Sequence, residues 1–77
     1  MFESEKVVYH PHDAEEILKF KAMDTDSHVL YDITCKACEV LISEKVGSFY
    51  FVRIKDSEEL AVSTSDLNPY FDIQFIS

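Results

Sequence analysis

Glycine is almost missing: Gly47 is the only one in 77 residues. A lone glycine cannot build the glycine-rich loop that cradles a phosphate, so that route to nucleotide chemistry is excluded. Cysteine is equally scarce. Cys35 and Cys38 stand three apart, which is no secreted disulfide framework. Two prolines and no low-complexity run argue against a disordered chain. No apolar run reaches the length of a membrane span. The opening MFESEKVVYH has neither a basic stretch nor an apolar core, so it does not read as a signal peptide, and the cytoplasm is the expected compartment.

Positive charge is the other deficit. Seven bases face fifteen acids, a formal net of −8. All seven bases lie in residues 1–55; residues 56–77 hold Asp56, Glu58, Glu59, Asp66 and Asp72 with no base. This field repels free nucleic acid and anionic membranes, so neither is an expected partner. A basic surface on another protein is. The size and charge are those of small acidic inhibitors of the kind phages and mobile elements carry, an analogy of class only.

What is present is a chain of one domain, 1–77. A chain this short buries only about 60% of its unfolded surface, so a metal, a homodimer interface or a partner would add needed stability. The informative stretch runs from His28 to Lys55. HVLYDIT alternates as a strand does, with Val29, Tyr31 and Ile33 on one side. From Cys35 the pattern fits a helix. Cys35, Cys38, Leu41, Ile42 and Val46 fall in one arc, Thr34 can cap the start, and Gly47 suits the end. Val40 then points outward and Lys45 inward. A rival reading makes residues 38–55 a hairpin turning at Lys45-Val46-Gly47, because Cys38, Val40 and Ile42 also alternate with Glu39 and Ser43. The agreement of caps and arc favours the helix over Cys35–Val46. SFYFVRIK follows as a strand, with Tyr50, Val52 and Ile54 on one face and Phe49, Phe51 and the Arg53 stem on the other.

The flanks read more simply. Glu5–Tyr9 is a short strand that Pro11 should stop. Asp13 and Glu16 resemble a capping box, giving a helical turn or two before a strand through Met23. Asp56–Glu59 is a charged turn, Leu60–Val62 a short strand, Ser63–Asp66 a polar loop and Asn68-Pro69 a turn. YFDIQFIS alternates as a closing strand, and Ile76 on its polar side suggests a covered edge. The expected fold is therefore α+β: three to five mostly antiparallel strands with one or two helices packed on one face.

Three groups of residues carry candidate function. Cys35-Lys36-Ala37-Cys38 opens the expected helix, where a helix N-terminus favours thiolate and hence redox chemistry. The same pair is half a zinc site that His10 and His12 would complete. Its spacing fits no common finger, a thioredoxin-like surround is lacking, and buried cysteines on an apolar arc are the plainer reading. No cofactor is expected, with zinc the one alternative. The second group is acidic: Glu15, Glu16, Asp24, Asp26, Asp56, Glu58, Glu59 and Asp66 would line a face that meets a Lys/Arg groove, as a nucleic-acid mimic does. Asp24-Thr25-Asp26 begins like a calcium loop but lacks its glycine and its bidentate acid, so a turn-capping role is expected there. The third group is aromatic: four Tyr and six Phe exceed what a small core hides easily, and tyrosine is frequent at interface hot spots. Nothing has the makings of catalysis. Ser63–Ser65 has no glycine elbow, His28 is alone on a strand, and Glu15/Glu16 has nothing to raise a carboxyl pKa. The expected function is a non-enzymatic inhibitor or adaptor. The alternatives are a CxxC zinc or redox module and a dimerising structural protein.

Overall fold

The computed structural model describes residues 4–76. Seven strands form one sheet: β1 Ser4–Pro11, β2 Ile17–Asp24, β3 Leu30–Lys36, β4 Val40–Val46, β5 Phe49–Ile54, β6 Leu60–Ser63 and β7 Phe71–Ile76. Their order across the sheet is β3-β2-β6-β5-β4-β1-β7, and every neighbouring pair is antiparallel. The one α-helix among the described residues, α1, is a single turn at Thr64–Leu67. The class is α+β, but the expectation of three to five strands is wrong. Among the described residues no helix is long and apolar enough to cross a membrane.

The expected helix over Cys35–Val46 does not form. A 3-10 turn at Ala37–Glu39 leads straight into β4. Val40 is 2% exposed and Leu41 54%, the reverse of what the helical arc requires. Val40, Ile42 and Val46 are β-branched and suit a pleated surface better than a helix. The hairpin reading of residues 38–55 is the one realised, with its turn at Gly47-Ser48. Gly47 has φ 59°, which suits the first position of a two-residue hairpin turn as well as a helix end. A bulge between Ile42 and Glu44 shifts the register. It leaves Ile42 and Lys45 on the inner face, where Lys45 opposes Tyr50 and its Nζ lies 5.6 Å from the Phe75 ring centroid.

β1 ends at Pro11, opposite Phe71, and the next residue's His12 N–H donates to Tyr70 O at 2.9 Å. Pro11–Phe71 is therefore a non-hydrogen-bonded pair, and the missing donor of Pro11 costs no ladder bond. Two smaller expectations also fail, those for Asp13 and for Ser63–Asp66. Asp13 caps a turn and not a helix: its carboxylate accepts from Glu15 N–H at 3.0 Å, and β2 starts two residues later. The stretch Ser63–Asp66 was expected as a loop; most of it is α1, which drives Leu67 fully into the core.

One core holds the sheet together. Leu18, Phe20 and Ala22 of β2 share it with Val40 and Ile42 of β4, Tyr50, Val52 and Ile54 of β5, and Leu60 and Val62 of β6. β2 joins β6 through only Met23↔Ala61 and Asp24↔Leu60. The β2–β3 hairpin therefore swings at that corner and brings its inner face onto the same core. The corner also places the β2–β3 turn beside the β5–β6 turn. The sheet edges are β3 and β7, and on β7 Phe75 (51%) and Ile76 (53%) are exposed, so Ile76 is uncovered.

Candidate functional site

The two turns at the β2–β6 corner are held by their own side chains. In the first, the Asp24 carboxylate accepts from Asp26 N–H at 2.8 Å and Ser27 N–H at 2.9 Å. His28 N–H donates to Asp24 O, and Asp24 N–H to Val29 O, each at 2.9 Å. Closing this loop puts His28 in the left-handed region at φ 61°. In the second turn, Ile54 N–H donates to Ser57 Oγ at 2.9 Å, and Ser57 N–H returns to Ile54 O at 3.0 Å. Lys55 is left-handed there, at φ 55°. Two short hairpin loops thus hold Asp26, Glu58 and Glu59 near one another.

Thr25, Asp26, Arg53, Glu58 and Glu59 surround one cleft of about 420 Å³. Asp24, Tyr31, Asp32, Ser57 and Glu58 border a second, of about 410 Å³. Glu58 stands on both, and exposed Asp56 lies on the same turn. Arg53 is the only base in either lining. Among the described residues the ion pairs are His12–Asp72, Lys36–Glu15 and Lys55–Glu39, so Asp26, Asp56, Glu58 and Glu59 are all unpaired.

The acids that the sequence singles out therefore separate. Asp24, Asp26, Asp56, Glu58 and Glu59 come together at the corner, although Asp24 is occupied in holding its turn. Glu15 is paired with Lys36 at 3.1 Å. Glu16 lies in the β1–β2 connection, its carbonyl accepting from Ala37 N–H at 2.9 Å. Asp66 sits apart, across a cleft from Lys19 and Lys21.

An apolar cavity of about 310 Å³ adjoins the acidic cleft, with Thr25 in both walls. Met23, Val46, Phe49, Phe51 and Ala61 line it from the outer face of the sheet, with His28 at its margin. Composition does not mark these residues. The alternation of Phe49, Phe51 and Arg53 does, because it leaves two phenylalanines on the face opposite Tyr50 and Val52.

The CxxC pair is split by the strand. Cys35 is buried in the core and Cys38 is exposed; both are free thiols. Burial pushes the Cys35 thiol up, with the Glu39 charge adding to it, which is the opposite of activation. His12 Nε2 is 2.9 Å from Asp72 Oδ1, and His10 faces Asp72 in register. Among the described residues no group of three or more His, Cys, Asp or Glu is placed to hold a metal.

Glu39 has a structural task. Its carboxylate accepts from Lys36 N–H at 2.8 Å and pairs with Lys55 Nζ at 3.0 Å, tying the β3–β4 turn to the β5–β6 turn. The backbone bond from Lys36, then Lys55, holds its pKa below the ordinary 4.5. The N–H groups of Ser27 and Asp26 likewise hold Asp24 below 3.8. Depressed folded-state values contribute stability that is present above the unfolded values and lost as pH falls through the folded ones. The contribution of these two carboxylates should therefore be level above about pH 4.5, and thermal melts should fall below it. Glu39→Gln should flatten the upper part of that fall. An equal fall in wild type and variant would remove Glu39 from the account.

No protein-family model, no curated protein and no solved structure matches this chain.

Proposed function

We propose that this chain is a small acidic protein-binding module, an inhibitor or adaptor, that docks its β2–β6 corner on a basic surface of another protein. One observation carries the reading: Asp26, Glu58 and Glu59 converge from two turns on a cleft whose only base is Arg53, and none of the three acids is paired. Unpaired carboxylates in a concave site focus the field of a chain already at −8. Such a field steers a cationic surface into contact and repels nucleic acid, so a partner that normally holds nucleic acid would lose that ligand to this protein.

Capture from lysate at low and high salt, with wild type and with Glu58→Lys/Glu59→Lys, tests it. A captured protein that high salt releases, and that the double variant fails to retain, supports the reading. The fold should survive, because surface substitutions usually cost under about 0.5 kcal/mol. Equal capture by both proteins at both salts contradicts it. A second reading, a homodimer paired through β7, has in its favour an edge strand with exposed Phe75 and Ile76 that, among the described residues, carries no lysine or bulge of its own.

A further inference from the structure

The apolar cavity lies on the face of the sheet turned away from the core. Register places Leu30, Met23, Ala61 and Phe51 in one row across β3, β2, β6 and β5. Ala61 is only 6% exposed although it points outward, because the larger side chains around it form walls. A volume of about 310 Å³ is at the floor of the ~300–1,000 Å³ usual for small-molecule sites. It suits one inserted side chain better than a cofactor, and the apolar pockets of protein interfaces commonly receive such anchors.

The neighbouring charge identifies the occupant. Thr25 is the wall between this cavity and the cleft of Asp26, Glu58 and Glu59. We propose that the cavity takes an aromatic or aliphatic anchor from a basic segment of a partner protein, whose Lys or Arg residues lie in the adjoining acidic cleft. A second copy of this chain fits this corner poorly, since Asp26, Glu58 and Glu59 beside the cavity would face a molecule that itself carries −8. The inference rests on the acidic docking read above and adds the partner's local chemistry: cationic, with one large apolar side chain.

The test uses isotope-labelled full-length protein and two synthetic peptides. Each carries lysines on both sides of a central residue, which is leucine in one and serine in the other. The leucine peptide should shift the amide signals of Met23, Phe49, Phe51 and Ala61 together with those of Glu58 and Glu59. It should bind about tenfold or more tightly than the serine peptide, as burial of a leucine side chain implies. Ala61→Leu, which fills the cavity, should reduce leucine-peptide binding to the serine level. Phe49→Ala, which strips a half-exposed wall, should do the same and guards against a folding defect in the first variant. Equal affinity for both peptides, with shifts confined to Asp26, Glu58 and Glu59, overturns the anchor and leaves the acidic reading standing. Leucine-peptide binding that ignores both salt and Glu58→Lys/Glu59→Lys overturns the acidic reading and the cationic occupant together. No shift at the cavity with either peptide overturns the inference.

Discussion

Tyr50→Ala should cost about 3–5 kcal/mol, a large fraction of the stability of the whole protein. Tyr50 is the largest of the fully buried side chains, at 1% exposure. It is the second residue of β5, between Lys45 of β4 and Val62 of β6, and its hydroxyl donates to Asn68 Oδ1 at 2.6 Å. It therefore joins the sheet to the turn that follows α1. Truncating a buried aromatic side chain costs about 3–5 kcal/mol. A chain of 77 residues has roughly 4–12 kcal/mol of stability in total. The variant should therefore lose about a quarter or more of its denaturant midpoint. Tyr50→Phe separates ring from hydroxyl and should cost only about 0.5–1.5 kcal/mol, because Asn68 is exposed and regains a partner in water. Equal losses for the two variants would mean that the hydroxyl, and not the ring, organises this part of the core.

Ile42→Ala should cost about 2–5 kcal/mol, while Leu41→Ala should stay within roughly 0.5 kcal/mol. Ile42 is buried with Val52 opposite, and Leu41 faces out beside Arg53. Val40→Ala should also be clearly destabilising, since Val40 is buried opposite Ile54. Urea unfolding of the three variants reads the face directly. A large loss at position 41 with little at 40 would restore the helix and dissolve β4.

Those three neighbours show where the sequence was ambiguous. Leu41, Ile42 and Val46 lie on a helical arc, whereas Val40 and Ile42 alternate as in a strand; a stretch this short satisfies both periods. Gly47 does not decide between them, since a left-handed residue serves a helix end and a hairpin turn alike. What decides lies outside the stretch: β4 fits between β5 on one side and sequence-distant β1 on the other, which a helix could not do. β2, β5 and β7 were readable because each alternates over its length, and Leu60–Val62 because it is bounded by polar turns. The 3-10 turn at Ala37–Glu39 was not, since it is capped from behind by Glu39 and not by Thr34.

The site was half legible. Asp24-Thr25-Asp26 and Asp56–Glu59 stand out as charged turns, and the capping role of Asp24 follows from its short side chain. That the two turns meet depends on two β2–β6 register pairs, which leave no local mark. The apolar cavity depends on the same pairs, because they bring Met23 beside Ala61. Glu15, Glu16 and Asp66 have the same composition signal as the corner acids, but the fold gives them other neighbours.

The claim that most needs testing is that the corner formed by Asp26, Glu58 and Glu59 docks on a basic surface. The direct measurement is the association rate with the captured partner, as a function of ionic strength, for wild type and for Glu58→Lys/Glu59→Lys. Charges at a contact rim act mainly on encounter, and salt screens them over about 8–10 Å. The wild-type rate should fall steeply with salt, and the double variant should associate more slowly at low salt with little change in dissociation. Rates that coincide for the two proteins and do not respond to salt would contradict the account.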